Sequence, residues 1–436
     1  MYTVGLYTLG CKVSQYETEA IAEGFEKEGF EVLTFEEKND VYVINTCTVT
    51  AESDRKSRQF IRRAVKANPN AVICAIGCYT QRAGGEVAAI EGVDIVIGTD
   101  NKMSVIKEAL GMLEKRKREQ TVSVSDLSGA GFEPMTVKKA PRTRAYIKIE
   151  DGCESKCTYC AIAAARGPVR SKPKDEVISE VEGLYASGVR EIVLTGIETG
   201  SYGRDFDNGY RLADLIRELD ARGSCERIRL GSLAPELVGA DFVDRVRGVR
   251  ILAPHFHLSI QSGSNSVLRR MKRRYTRERV LENIERLRIA FPGATFTTDL
   301  MVGFPGESEE EFFETVDIVE RAMLLDAHVF AYSRRTGTEA DTYPDQIPES
   351  EKHRRSEILI RKKNEVRDRV LDGIVKSGEP LSVIVETPTE DGRYNAHSDT
   401  FVLVSLEANG RTDLQGEMLT VRPVSHKNGT VFAQII

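Results

Sequence analysis

Apolar residues recur along this chain with two different periods, and the switches between them divide it into regions. In residues 1–114, strand-like runs at 2–9, 41–44, 71–76 and 93–97 alternate with segments of helical spacing at 15–28, 52–67 and 102–113. Ile21 and Phe25 fall on one face of the first of these helices. Strands separated by helices predict an open parallel sheet covered on both faces. Residues 115–143 are rich in Ser, Thr and Gly, with basic runs at both ends (Lys115-Arg-Lys-Arg118 and Lys138-Lys-Ala-Pro-Arg-Thr-Arg144). They show little periodicity and read as an extended, solvated linker.

Residues 144–377 carry six strand-like runs at 145–149, 191–194, 227–230, 255–260, 295–302 and 328–332. Helical patterns lie near 175–187, 211–221, 235–246, 277–290 and 308–323. Six β/α units predict an incomplete (β/α)6 barrel related to the eight-unit form. A long segment at 349–372 mixes both charges and reads as a surface connector. From residue 378 onward, short β-rich runs at 381–386, 400–406, 418–423 and 430–436 are punctuated by Gly392, Gly410, Gly416 and Gly429. They suggest a small five-strand barrel of the OB type. The fold class is therefore α/β. It comprises an open parallel α/β sheet domain (1–114), a linker (115–143), the central barrel (144–377) and a C-terminal β-barrel (378–436).

Composition narrows the classes. The 436 residues are 41% hydrophobic and 29% charged, which describes a soluble globular chain of several domains. A net charge of −6 argues against coating nucleic acid indiscriminately, while leaving room for local basic patches. No apolar run approaches the roughly 18 residues of a membrane span, and no secretory leader is visible before the first strand. A cytoplasmic protein is expected. There, eight cysteines point to metal or redox chemistry rather than disulfides.

The densest cysteine cluster is Cys153-Glu-Ser-Lys-Cys157-Thr-Tyr-Cys160, just after the first strand of the central region. Three thiolates fill three corners of a tetrahedral or cubane site, and no His or fourth Cys lies nearby. An iron–sulfur cluster with one open iron fits the spacing; zinc and inert core cysteines are the alternatives. Cys11 ends the first predicted strand of the first domain, and Cys47 and Cys78 follow the second and third. Loops beyond the carboxyl ends of such strands build ligand sites, so these three can converge, the alternative being scattered core cysteines. Cys74 lies inside its strand and reads as a small buried hydrophobe.

With its flanks Lys148-Ile-Glu-Asp-Gly-Cys153 and Arg166-Gly167, the C-x3-C-x2-C triplet resembles the signature of radical S-adenosylmethionine (SAM) enzymes, in their methylthiotransferase branch. The resemblance implies that Cys153, Cys157 and Cys160 hold a [4Fe–4S] cluster whose open iron chelates SAM. Leu9-Gly-Cys-Lys, Asn45-Thr-Cys-Thr-Val-Thr50 and Gly77-Cys-Tyr resemble the three motifs of a second, auxiliary [4Fe–4S] cluster, which assigns Cys11, Cys47 and Cys78. Post-strand segments resemble the family's SAM pocket and nominate Thr195, Gly196, Glu198, Ser232, Gln261, Asp299 and Gly303. Asp299 fits a ribose hydroxyl or a helix cap equally well. Two departures are Ala234, where many relatives have Glu, and the small residues after Cys160. The tail resembles the family's terminal TRAM domain loosely: from Gly378 on, four Lys and Arg face eight carboxylates, a poor surface for phosphates. Arg269-Arg-Met-Lys-Arg-Arg-Tyr-Thr-Arg277 and the basic helix at 52–67 suit RNA better, with Tyr275 offering a stacking face.

Thr8-Leu-Gly-Cys-Lys-Val13, the stretch from Val41 to Thr50, and Arg334-Arg-Thr-Gly-Thr338 resemble the branch acting on tRNA. Its members methylthiolate C2 of N6-threonylcarbamoyladenosine at position 37, beside the anticodon. The partners implied are the tRNA anticodon stem-loop and an electron donor for cluster reduction, with no membrane. The resemblance implies two SAM molecules, one to methylate a sulfur at the auxiliary cluster and one to supply the radical. An aromatic C–H offers no acid–base handle, so no side chain is named as general acid or base. The base is expected to be extruded from its loop. Isopentenyladenosine-37 and an aspartate of a ribosomal protein are alternative substrates. A non-enzymatic iron–sulfur protein that binds RNA or senses redox state is the alternative of another class.

Overall fold

The computed structural model describes residues 1–114, 119–140, 143–408 and 410–436. The basic run at 115–118, and Pro141 and Arg142 of the second run, lie outside the described residues. The chain divides into two compact units. The first is Met1–Val137, Lys148–Lys172 and Ser333–Asp341; the second is Lys138–Ile147, Pro173–Tyr332 and Thr342–Ile436.

In the first unit, β1 (Thr3–Thr8), β2 (Glu31–Leu33), β3 (Val41–Thr46), β4 (Val72–Gly77), β5 (Ile95–Ile97) and β6 (Thr121–Ser123) form one parallel sheet. Its strand order is β2-β1-β3-β4-β5-β6. Alternation within the strands decides what covers each face. Val41, Val43, Val72, Cys74 and Ile76 pack with Ile21, Phe25, Val105 and Ala109, from α1 (Lys12–Lys27) and the Ser104–Glu114 helix. Tyr42, Ile44, Ile73 and Ala75 pack on the other face with Ile61, Ala64 and Val87, from the Ala51–Ala67 and Cys78–Ala88 helices. Each fully buried Val or Ile contributes about 1.5–3 kcal/mol, so continuous apolar strands such as β3 and β4 anchor the unit.

The segment expected to be a solvated linker is more embedded than its composition indicates. It supplies β6, paired with β5 through Ile95↔Thr121 and Ile97↔Ser123. Leu127, Met135 and Val137 are also buried. Isolated apolar residues with no period carry no sequence signal, and a three-residue edge strand is too short to alternate visibly.

Three more strands follow: β7 (Arg144–Lys148), and the short antiparallel pair β8 (Glu150–Asp151) and β9 (Arg170–Ser171). In the second unit β7 joins β10 (Glu191–Thr195) and β11 (Arg227–Leu230) in the order β11-β10-β7. A second sheet holds β12 (His255–Gln261), β13 (Thr295–Val302) and β14 (Asp326–Ala331), all parallel. Parallel bridges Ile228↔Leu252 and Leu233↔Leu258 link the two. All six predicted strands are present, as two three-stranded sheets. The helix expected at 235–246 is a short 3-10 turn, Pro235–Leu237, followed by Ala240–Val246, because Gly239 is extended between them.

The helix Glu349–Ser377 ends at Gly378 in the left-handed conformation. It is no mere surface connector: Lys352, Arg355, Leu359, Val366 and Leu371 are buried, and Lys352 Nζ donates to the Tyr332 carbonyl at 3.0 Å. Its long charged side chains cover apolar surface with their stems, which a charge count reads as solvation. Strands β15 (Leu381–Pro388), β16 (Arg393–Ser398), β17 (Leu403–Glu407), β18 (Met418–Lys427) and β19 (Thr430–Ile435) close a barrel in the order β15-β16-β17-β19-β18. The run expected from residue 400 starts at Leu403, because Phe401 has φ of +65° and cannot continue a strand. The Ser398–Phe401 turn docks on the amino ends of the central strands. Phe401 stacks on His255 with centroids 4.5 Å apart, and Arg229 donates to the carbonyls of Ser398 and Asp399 at 3.0 Å.

Among the described residues, no helix is long and apolar enough to cross a membrane.

Candidate functional site

The first cysteine set grows out of sheet order. Because β1, β3 and β4 are neighbours, the loops leaving their carboxyl ends lie side by side. Cys11 is the N-cap of α1, Cys47 follows β3 directly, and Cys78 opens the helix after β4. Two glycines let these loops meet. Gly10 has φ of +118°, and a Cβ there would lie 3.3 Å from Cys47 Sγ. Gly77 has φ of +101°, and a Cβ there would stand 2.5 Å from Asn45 Oδ1 and 2.8 Å from the Thr46 carbonyl. Asn45 Nδ2 donates to the Ser14 carbonyl and Thr18 Oγ1, while Thr46 Oγ1 donates to the Ile76 carbonyl and accepts from Thr80 N. Cys11 is exposed, whereas Cys47 and Cys78 are buried. Burial pushes the Cys78 thiol up to about 12, against the opposing charge of Arg166, and raises that of Cys47 against a backbone hydrogen bond from Val49. Thiols held this way stay protonated until a metal displaces the proton. Cys74 sits inside β4, fully buried, in the apolar cluster.

The second set lies in the same unit. Cys153 N donates to the Gly167 carbonyl at 3.0 Å and Cys160 N to the Cys157 carbonyl at 3.1 Å, folding the loop back on itself. Backbone amides point at sulfur: Ser155 N lies 3.4 Å from Cys153 Sγ, and Ile162 N lies 3.4 Å from Cys160 Sγ. Such N–H···S contacts stabilise thiolates. A cleft of about 520 Å³ opens beside Cys153, lined by Glu154, Ser155 and Lys156 and by Ser125, Asp126 and Ser128. Among the described residues, no His, Cys, Asp or Glu group is gathered tightly enough to hold a single metal ion.

A buried charge network joins the two loops. Arg166, fully buried, donates from Nε to Cys78 Sγ at 3.1 Å and from Nη1 to Glu17 Oε1 at 2.6 Å and Asp151 Oδ2 at 3.1 Å. Lys148 Nζ lies 3.0 Å from Glu17 Oε1 and 3.2 Å from Asp151 Oδ2. Lys102 Nζ lies 3.2 Å from Glu17 and 3.4 Å from Glu133, and Arg170 lies 3.6 Å from Asp151. Burial opposes ionisation of both Glu17 and Asp151. The charges of Arg166, Lys148 and Lys102 outweigh it, holding Asp151 at about 2 and Glu17 well below the carboxylate range.

The residues nominated for SAM lie in the second unit. Thr195 ends β10, with Gly196 and Glu198 in the loop after it; Ser232 follows β11, Gln261 ends β12, and Gly303 follows β13. Burial raises the Glu198 carboxyl to about 7, although its Oε1 accepts from Ala234 N at 3.0 Å. Gln261 has φ of +67°, at a register shift between β12 and β13. Gly303 packs on this chain itself: a Cβ there would lie 2.4 Å from Lys352 Cγ. Asp299 is inside β13 and caps no helix. Its carboxylate sits between His257 Nε2 at 3.2 Å and His328 Nδ1 at 3.3 Å. Tyr275 offers no stacking face: it is buried, and its hydroxyl donates to the carbonyls of Ser259 and Ile260. Within the same basic run, Arg270 pairs with Glu311 and Arg277 with Asp317.

Comparison with known proteins fits this arrangement. Residues 147–319 match the Radical SAM superfamily, and residues 3–98 match the Uncharacterized protein family UPF0004. Similar curated proteins include the threonylcarbamoyladenosine tRNA methylthiotransferase MtaB of Bacillus subtilis, 40% identical over 97% of this chain and 94% of that protein. The chain belongs to the radical SAM methylthiotransferases. Other members of this family include MtaB of Thermotoga maritima, 36% identical over 92% of this chain and 91% of that one. The tRNA-2-methylthio-N(6)-dimethylallyladenosine synthase of Carboxydothermus hydrogenoformans is 33% identical over 96% and 95%. Among solved structures, the radical SAM methyltransferase TsrM of Kitasatospora setae shares the fold at a TM-score of 0.57 and 16% identity, covering 78% of this chain and 77% of that one.

In this methylthiotransferase, the sequence motifs nominate six cysteines but give no sign of the charges packed beside them. Glu17 carries a usable signal. It lies on the same buried helical face as Val13, Tyr16, Ala20 and Ile21, where an unpaired carboxylate is not tolerated. Arg335 was a motif residue without a task. Its guanidinium donates to the Thr48 carbonyl, to Thr48 Oγ1 and to Asp54 Oδ2, fixing the 333–341 segment on the Cys47 loop.

Proposed function

We propose that this chain adds a methylthio group to C2 of N6-threonylcarbamoyladenosine at position 37 of tRNA, in the cytoplasm. The carrying observation is the 40% identity to an MtaB protein across nearly both full lengths. It is joined by two sets of three cysteines on neighbouring loops of one unit. In this reading Cys11, Cys47 and Cys78 hold an auxiliary [4Fe–4S] cluster, and Cys153, Cys157 and Cys160 hold the cluster that binds SAM. The donor sets fit: each offers three thiols and leaves one corner open, the open corner being what a bound small ligand requires. When bound, the clusters and SAM supply the radical and sulfur-transfer chemistry that side chains lack.

The chain's own residues position and shield. Gly10 and Gly77 let the first three loops converge, and the Gly167 carbonyl pins the amide of Cys153. Thr195, Gly196, Glu198, Ser232, Gln261, Asp299 and Gly303 are assigned to the SAM pocket because they stand on or after successive strands of the second unit. The partners are the anticodon stem-loop of tRNA and a one-electron donor for cluster reduction.

Nucleoside mass spectrometry of total tRNA, from cells with and without this gene, tests the reading. Loss of 2-methylthio-N6-threonylcarbamoyladenosine with accumulation of its unmethylthiolated precursor is expected. An unchanged level of that nucleoside overturns it. Loss of the 2-methylthio-dimethylallyl nucleoside in the same spectra transfers the assignment to the other tRNA branch.

A further inference from the structure

Arg166 is fully buried, and its guanidinium reaches two carboxylates and a cysteine at once. Nη1 and Nη2 donate to Glu17, Nη1 donates also to Asp151, and Nε donates to Cys78 Sγ at 3.1 Å. Glu17 and Asp151 are shared with Lys148, and Glu17 with Lys102. A charged N–H donor holds a metal-bound thiolate more strongly than a neutral thiol, so the contact with Cys78 is worth most when that sulfur ligates.

We propose that Arg166 is a positioning residue that tunes the auxiliary cluster, its Nε–H donating to the Cys78 thiolate and drawing charge from that sulfur. This inference rests on the assignment of Cys11, Cys47 and Cys78 as cluster ligands. A hydrogen bond from a cation to a ligating sulfur stabilises the more negative, reduced cluster and raises its reduction potential. Arg166 suits the task where Lys would not, because its planar fork serves two carboxylates and the sulfur at once. Arg166 also ends the helix that follows Cys160, and its partner Asp151 accepts from Gly152 N at 2.9 Å, one residue before Cys153. One guanidinium therefore touches the loop of each cysteine set.

The test uses the full chain with Cys153, Cys157 and Cys160 all replaced by Ala, so that only the auxiliary cluster is reconstituted. Its midpoint potential is read by EPR-monitored titration with Arg166, Arg166→Lys and Arg166→Gln. In Arg166→Gln, Glu17 keeps Lys102 and Lys148, and Asp151 keeps Lys148, so the variant is expected to fold and hold iron. The potential is expected to fall in Arg166→Gln, with Arg166→Lys between. Pulsed EPR of the reduced cluster, in protein labelled with 15N-arginine, is expected to show a nitrogen coupling that Arg166→Lys removes. An unchanged potential in iron-replete Arg166→Gln overturns the proposal, as does an absent 15N coupling in the Arg166 protein. Loss of iron from both variants also counts against it, since Arg166 would then be scaffold and not tuner. If the triple-Ala chain with Arg166 intact holds no iron, the ligand assignment falls instead.

Discussion

Gly152 and Pro168 meet backbone to backbone: a Cβ added at Gly152, where φ is +90°, would stand 1.9 Å from the Pro168 carbonyl oxygen. The strands on either side, β8 and β9, pair Glu150 with Ser171 and Asp151 with Arg170, so neither segment can back away. The start of the Cys153 loop is thereby fixed before any cofactor arrives.

Gly152→Ala is expected to lose about half the iron of the reconstituted protein, that at the Cys153 loop, while the Cys11, Cys47 and Cys78 site still fills. The clash and the positive φ act together, and both displace the residue preceding a ligand. Iron quantification with EPR checks it; full iron in a folded Gly152→Ala chain contradicts the assignment.

Glu17→Gln removes the shared partner of Lys102, Lys148 and Arg166. Leaving buried cations with one carboxylate fewer is expected to cost on the order of 3–5 kcal/mol. The urea midpoint of the apo-protein should fall accordingly. The exposed pair Arg55–Glu52, removed in parallel, should leave it unmoved.

Cys74→Ala serves as the contrast to Cys47→Ala. Both side chains are buried, but Cys74 packs in the apolar cluster within β4 and Cys47 faces the other two loops. Iron content and 5′-deoxyadenosine release should be unchanged in Cys74→Ala. Cys47→Ala should lose the auxiliary cluster while 5′-deoxyadenosine release continues.

Glu198 gives a pH dependence with a definite sign. Burial lifts its carboxyl from 4.5 to about 7, so the folded chain holds a proton that the unfolded chain has released. Its contribution to stability is complete below about 4.5 and is lost as pH rises through about 7. Glu198→Gln should flatten the stability profile across that window, measured by denaturant midpoints at successive pH values. A slope equal to the parent's would show that Glu198 is not the titrating group.

Much of this architecture was legible from periodicity, because β3, β4 and the six central strands are apolar runs bounded by clear turns. The six cysteines stood out as candidates for a different reason, since thiols at set spacings carry chemistry that packing does not require. What stayed hidden lacked a local signature. Strand β6 is three residues at a sheet edge, and β16 reads Arg-Tyr-Asn-Ala-His-Ser, too polar to announce a strand. The ion network joins positions 17, 102, 133, 148, 151, 166 and 170, and no window of sequence sees them together. Tyr275 misled because its basic neighbours suggested RNA, whereas its side chain is buried and its hydroxyl is spent on carbonyls of β12.

The docking of the Ser398–Phe401 turn on the central strands also sets a timetable for biogenesis. Arg229 leaves the ribosome 170 residues ahead of Asp399, whose carbonyl it will hold. At ordinary elongation rates of about 5–20 residues per second, that interval lasts on the order of 10–30 s. Throughout it, the guanidiniums of Arg227 and Arg229 and the ring face of His255 await their partners from the barrel. The barrel of β15–β19 is thus a late latch on the nascent chain. Messages truncated before it should yield a central region exposed to proteolysis, however complete its cysteine motifs.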